Sequence, residues 1–152
     1  MSFGFVLLFG APYLPTLAVQ QQKALKLLNL KEGEMLLELG CGDGRVLLAA
    51  AKQGINGVGY ELNPILFIVA KVVTWRYRRI VKINFGNYWQ ANWPPADGIY
   101  VFLLDRYMQK LHKKITHNYS GKIVKVVSFA FKIPHQIPTS TDTNLYLYEY
   151  SL

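Results

Sequence analysis

The side chains able to do chemistry are concentrated between Glu38 and Glu61. The run Glu38-Leu39-Gly40-Cys41-Gly42-Asp43-Gly44 places three alternate glycines behind an acidic residue and a short apolar stretch. Glycines at that spacing let backbone amides approach a ligand closely where a strand passes into a helix. Glu61 follows Gly40 by 21 residues, the interval at which a carboxylate ending the next strand can accept hydrogen bonds from both ribose hydroxyls of a nucleoside. Leu62 and Asn63 stand beside it. Glu38 falls where the other end of such a ligand would lie, with bracing of the loop amides as its alternative role. Asp43 can equally cap the next helix. Further on, Phe85-Gly86-Asn87-Tyr88-Trp89 offers the Asn87 amide to read a base edge and rings, Tyr88 among them, to stack on it or pack the core.

Glycine spacing alone does not separate one nucleotide from another. A dinucleotide loop counted from Gly40 wants glycine or alanine at position 45, where this chain has Arg45, and no Gly-Lys-Ser or Gly-Lys-Thr follows to form a phosphate loop. The pattern favours S-adenosylmethionine. Methyl transfer from that molecule needs an unprotonated nucleophile in line with the methyl carbon and sulfonium, so positioning and charge supply most of the catalysis. If the nucleophile is a lysine, carboxylates beside the cleft attract its ammonium before the proton leaves. Asp105, directly after the apolar run Ile99 to Leu104, is the best-placed carboxylate, with helix capping as its alternative. Tyr107 is second. Asn92-Trp93-Pro94-Pro95 is similar to the Asn-Pro-Pro-Tyr motif of enzymes that methylate base amino groups, yet it precedes the apolar run and the tryptophan breaks its spacing. It reads as a rigid turn, and a flipped base loses its expected clamp. His112, His117 and His135 are too scattered to suggest a metal site.

The elements that must position these residues follow from apolar patterning. Apolar residues from Leu17 to Leu28 recur broadly at helical spacing, with Thr16 as a cap. Met35 to Leu39, Asn56 to Tyr60, Ile80 to Phe85, Ile99 to Leu104, Ile123 to Phe131 and Leu145 to Tyr150 read as strands. Arg45 to Gln53, Pro64 to about Arg79 and Arg106 to Thr116 read as helices, with Pro64 tolerated in a first turn. Ile99 to Leu104 has no polar alternation and belongs at the centre of a parallel sheet. Gln136 to Asn144 reads as a polar loop. Strands alternating with helices predict an α/β Rossmann-like sheet, mostly parallel and flanked by helices, with an antiparallel edge strand.

The chain has 152 residues with 51% hydrophobic content, enough for one core, so residues 1–152 are expected to form a single domain. Seventeen basic against nine acidic side chains leave +8, which favours an anionic partner such as a membrane surface, nucleic acid or an acidic protein. Glu38, Asp43, Glu61 and Asp105 are expected at strand exits, making an acidic cleft inside a basic exterior that includes Arg76, Arg78 and Arg79. A single cysteine, Cys41, excludes an internal disulfide and suits a reducing interior, so the chain is placed facing the cytoplasm. The apolar segment 1–15 is shorter than the ~20 residues a spanning helix needs and lacks the marks of a secretory signal, which leaves packing on the domain or an interfacial position.

Glu38 to Gly44 together with Glu61 resembles the class I, seven-stranded methyltransferases that use S-adenosylmethionine. Ala11-Pro12-Tyr13-Leu14-Pro15-Thr16, Leu39 to Arg45, Gly59-Tyr60-Glu61-Leu62-Asn63-Pro64 and Val127-Ser128-Phe129 further resemble the small protein-lysine methyltransferases with mitochondrial and archaeal members. That resemblance implies that Tyr13 and Thr16 lie over the methionine moiety and that Glu61 holds the ribose. With Glu38, Gly40, Cys41, Gly42, Gly44, Leu62, Asn63, Asn87 and Tyr88 they make the expected cofactor set, and S-adenosylhomocysteine is the implied product. Members of the family often carry a membrane segment before the Pro-Tyr-x-Pro-Thr motif, which makes Phe3 to Phe9 resemble the remnant of an anchor. Related enzymes often have proline at the position of Asp105, so that catalytic assignment rests on this chain's own residues. A methyltransferase acting on nucleic acid or a small molecule, and a silent cofactor-binding module, remain as the other readings.

Overall fold

The computed structural model describes residues 18–152. Tyr13, Thr16 and the apolar segment 1–15 lie outside the described residues. Helix α1, Ala18–Leu28, buries Ala24, Leu25 and Leu28 and ends at Asn29, whose φ of 47° is the left-handed turn that closes many helices. Strand β1, Met35–Leu39, is buried on both faces after its first residue. Helix α2, Arg45–Ala51, strand β2, Asn56–Glu61, helix α3, Pro64–Val73, and strand β3, Val81–Phe85, follow. Strand β4, Gly98–Val101, helix α4, Met108–Asn118, and strands β5, Ile123–Phe129, β6, Ser140–Asp142, and β7, Leu145–Ser151, complete the chain.

The strands form one seven-stranded sheet in the order β3-β2-β1-β4-β5-β7-β6. β1 to β5 are parallel. β7 runs against β5, and β6 pairs antiparallel with β7 at the outer edge. This is the predicted mostly parallel sheet with antiparallel pairing at one edge. Alternation along the strands gives each face its own core. Leu37, Leu39, Tyr60, Ile99 and Val101 pack with Met108, Leu111 and Ile115 of α4 on one face. Leu36, Tyr100 and Val127 pack with Leu25, Leu28, Leu47 and Ala70 of the other helices on the second. Chain order reverses between β1 and β4, where ligands bind in open sheets of this kind.

Beyond shifts of one or two residues at other ends, four differences from the sequence expectation shape the fold. α3 stops at Val73 instead of running to Arg79, because ten residues already span about 15 Å, close to the length of the strands it connects. The buried Thr74 hydroxyl donates to Ala70 O at 2.8 Å, and a 3₁₀ turn at Trp75–Tyr77 swings the chain back to β3. β4, Gly98–Val101, stops short of the expected Leu104, its last partners being Leu39 of β1 and Ser128 of β5. β5 ends at Phe129, where Ala130 turns to φ 74°. The stretch Gln136 to Asn144, read as polar loop, contains β6. Asp142 faces Leu145 across a two-residue turn in which Thr143 has φ 58°.

Candidate cofactor site

The glycine loop leaves β1 at the reversal point. Gly40, Gly42 and Gly44 all have positive φ, and at Gly44 the reason is also spatial: an added Cβ would lie 3.2 Å from the Ala70 Cα and Cβ of α3. The loop is held by Glu61. Its Oε2 accepts from the Gly42 N–H at 2.8 Å, and its Oε1 accepts from the Leu62 N–H at 3.1 Å and the Asn63 N–H at 3.0 Å. Bracing of the loop, which the sequence offered to Glu38, therefore falls to Glu61. Three of the roughly four lone-pair positions of a carboxylate are filled by backbone, so holding both ribose hydroxyls requires Glu61 to give up one of these bonds. Burial pushes the Glu61 carboxyl above the usual carboxylate range, opposed by the three N–H bonds.

Glu38 is in the reverse condition. It is 5% exposed, sits between Gly59 of β2 and Tyr100 of β4 in the sheet register, and its Oε2 has no hydrogen-bond partner among the described residues. Burial raises its pKa well above the ordinary value, and the neighbouring carboxylates of Asp43 and Glu61 raise it further. A buried carboxylate without a partner is unfavourable unless a cation or donor completes it. Asp43 cannot complete it, because a carboxylate only accepts; its own charge is met by the Arg45 guanidinium, with Nε at 2.9 and 3.0 Å from its two oxygens, and it also accepts from the Arg45 N–H at 3.2 Å. Asp43 thus takes the helix-end role.

The remaining expected residues divide between ligand edge and scaffold. Cys41 is buried. Its N–H donates to Tyr60 O at 2.9 Å, and its sulfur packs over Gly59, where a Cβ would come within 2.8 Å. Burial and then the charge of Glu38 push the thiol up, so its side chain is core and only its backbone faces the loop. Asn63 caps α3, its Oδ1 accepting from Ile65 N–H at 2.9 Å and Leu66 N–H at 3.2 Å. Asn87 Oδ1 accepts from Trp89 N–H at 2.9 Å, which fixes the turn after β3. Tyr88 is buried, and its hydroxyl, with no hydrogen-bond partner among the described residues, is pushed up by burial and by the charges of Glu61 and Tyr107.

Sequence reasoning gave Trp89 no role of its own, and the structure gives it one. Its ring centroid lies 5.0 Å from Tyr88 and 6.3 Å from Tyr107, and its buried Nε1 also has no hydrogen-bond partner among the described residues. The stretches after β3 and after β4 are thereby joined by one aromatic row. An aromatic next to two candidate residues was the available signal. Asp105 opens a 3₁₀ turn, Asp105–Tyr107, at the exit of β4. Among the described residues no side chain caps either that turn or α4, so the alternative role of Asp105 as a cap is not used, and its carboxylate is exposed. The Asn92–Pro95 stretch is a structural strap. Tyr60 and Tyr119 hydroxyls donate to Asn92 O and Pro94 O, while the Trp93 Nε1–H donates to Tyr88 O at 2.8 Å. Among the described residues no group of three or more His, Cys, Asp or Glu side chains is placed to hold a metal.

S-adenosylmethionine fits these residues. Its ammonium or sulfonium would supply the cation that the Glu38 Oε2 lacks among the described residues, and its polar atoms would complete the Tyr88 hydroxyl. The sheet order, the glycine loop and the acidic residue ending β2 define a class I S-adenosylmethionine-dependent methyltransferase. Residues 38–140 match the model of the ANTKMT methyltransferase domain, and the chain belongs to that family.

The chain is 32% identical over 132 residues to the mouse adenine nucleotide translocase lysine N-methyltransferase, covering 85% of this chain and 57% of that protein. It is 30% identical over 129 residues to a human lysine N-methyltransferase named for a component of ATP synthase, covering 84% and 54%. The chain spans about half the length of these mammalian relatives. A protein-lysine N-methyltransferase of Saccharolobus islandicus is 29% identical over 153 residues, covering 90% of this chain and 92% of that one. Among solved structures, an RNA methyltransferase from Salinibacter ruber in complex with S-adenosylhomocysteine superposes with a TM-score of 0.83 at 27% identity, covering 90% and 93%.

Proposed function

We propose that this chain transfers the methyl group of S-adenosylmethionine to the side-chain amine of a protein lysine, releasing S-adenosylhomocysteine. The buried Glu38 carboxylate beside the glycine loop, whose Oε2 has no hydrogen-bond partner among the described residues, carries the cofactor assignment. The lysine acceptor is supported by the names of the relatives from human, mouse and Saccharolobus islandicus. In this reading Glu38 holds the methionine end, and Gly40, Cys41, Gly42 and Gly44 present backbone to the ligand. Glu61, with Leu62 and Asn63, holds the ribose; Asn87 and Tyr88 bound the adenine; and Tyr13 and Thr16 close over the methionine.

The bound cofactor supplies an activated methyl group on a sulfonium. The chain's own residues supply orientation and charge. Asp105 attracts the incoming ammonium at the mouth, and Tyr107, stacked toward Trp89, lines its path. A lysine loses its proton before attack because the ammonium has no lone pair, and the exposed Asp105 leaves that proton a route to solvent. No metal enters the mechanism. We place all 152 residues in one methyltransferase domain facing the cytoplasm, at the inner face of a membrane. No helix among the described residues is long and apolar enough to cross a membrane.

Incubating the chain with methyl-labelled S-adenosylmethionine and a membrane extract tests this. Label in a protein band, recovered as methyl-lysine after hydrolysis, is expected. The name of the Salinibacter ruber neighbour favours RNA as the second reading, and label confined to RNA would replace the lysine assignment. Binding of the cofactor with no transfer to any fraction would leave a silent module.

A further inference from the structure

The outer face of α3 is apolar where a helix covering a sheet would normally be polar. Only Ala70 of its ten residues is buried. Ile65, Ile68, Val72 and Trp75 are 72%, 60%, 70% and 59% exposed, with Val69 on the same side, at the three- and four-residue spacings that make one stripe. Two hollows flank it. One is apolar and lined by Ile68, Lys71, Val72 and Trp75. The other, about 600 Å³, shares Lys71 and Trp75 and is rimmed by Arg78, Arg79 and Lys82. The Arg78 guanidinium lies 4.5 Å from the Trp75 ring centroid. Between Glu61 and Asp97 the chain has no Asp or Glu and five basic residues, Lys71, Arg76, Arg78, Arg79 and Lys82.

We propose that α3 and the turn after it are the surface by which this protein docks on an anionic phospholipid bilayer. The stripe enters the acyl boundary while the basic rim takes lipid phosphates. The charge pattern selects this occupant. A second copy of the chain across a two-fold axis would set these unopposed cations against each other. An acidic protein would satisfy the rim but not the stripe together with an aromatic at its border, which is the arrangement of side chains at a membrane interface. The proposal gives a surface to the membrane-facing part of the function proposed above and rests on that part alone, since vesicle binding is read without methyl transfer.

The test is co-flotation of the full chain with phosphatidylcholine vesicles and with vesicles containing phosphatidylglycerol. The expected result is salt-sensitive binding to the anionic vesicles only. Two variants, Ile68→Ser with Val72→Ser and Arg78→Gln with Arg79→Gln, should each weaken partitioning at least about tenfold, since each basic side chain near such a surface contributes roughly fivefold. Ile137→Ser, at an exposed apolar residue away from α3, should bind as the parent does. Brominated acyl chains should quench emission that Trp75→Phe removes. Unchanged binding by the Ile68→Ser, Val72→Ser variant overturns the proposal, because the contact would then lie elsewhere, including in segment 1–17. Parent protein that ignores anionic vesicles, or that self-associates through this face instead, also overturns it.

Discussion

Glu38→Gln separates what the cofactor site does from what the fold would prefer. The side chain is buried, its Oε2 has no partner among the described residues, and its pKa is raised chiefly by burial. Because the folded state holds this proton more tightly than the unfolded chain does, the folded protein loses stability as pH rises from the ordinary carboxylate range through the raised value. A glutamine of nearly the same volume removes that charge. An unsatisfied buried polar group costs about 1–3 kcal/mol, and in a chain of this size 1 kcal/mol moves Tm by about 2–4 °C. Without cofactor, the variant should therefore melt about 2–12 °C higher than the parent at pH 8. The gain should vanish near pH 4.5, the ordinary carboxylate value, and below it, where Glu38 is protonated in both states. Binding of S-adenosylmethionine should move the other way. Loss of one charge-assisted hydrogen bond, about 1.5–3 kcal/mol, weakens Kd by about 10- to 150-fold. Thermal melts across pH with calorimetric titration of the cofactor measure both. A variant that melts lower at every pH would make Glu38 a scaffold residue, and unchanged affinity would remove it from the site.

Three further outcomes follow from the same geometry. Glu61→Ala deprives the Gly42, Leu62 and Asn63 N–H groups of their acceptor, so amide exchange at Gly42 should accelerate at least about tenfold and cofactor binding should fall below calorimetric detection; retained affinity would show the nucleoside lies elsewhere. Gly59→Ala sets a Cβ 2.7 Å from Leu47 and 2.8 Å from the Cys41 sulfur, an overpacking that should lower stability in urea by about 1–3 kcal/mol, and a neutral result would mean that Leu47 and Cys41 yield freely. Asp105→Asn changes an exposed residue, so stability should stay within about 0.5 kcal/mol while kcat/KM for a lysine acceptor drops at least about tenfold through KM; an unaltered KM would take Asp105 out of the acceptor path.

The elements were legible wherever the pattern was local. Met35–Leu39 and the Asn63-Pro64 helix start appear where the sequence places them, because an apolar run and a capping residue act within a few residues of themselves. The end of β4 and the existence of β6 were not legible. Where a strand ends depends on pairing with both neighbours, here Leu39 of β1 and Ser128 of β5, and β6 is a strand because β7 pairs with it. The turn residues Thr143 and Asn144 were the one local trace of that hairpin.

The sequence by itself determined the order of strands and helices apart from β6, the glycine loop and the placing of Glu38 and Glu61 at strand exits, since residue type and spacing are enough to specify each of these. Tertiary structure decided how the two carboxylates divide their work. Both are acidic residues at the ends of adjacent strands, and only the path of the backbone brings three N–H groups to Glu61 while leaving a buried oxygen of Glu38 with none. It also decided that the apolar residues of α3 are shared between the sheet and the exterior, because a helix covering a sheet edge has only one side that the sheet can bury.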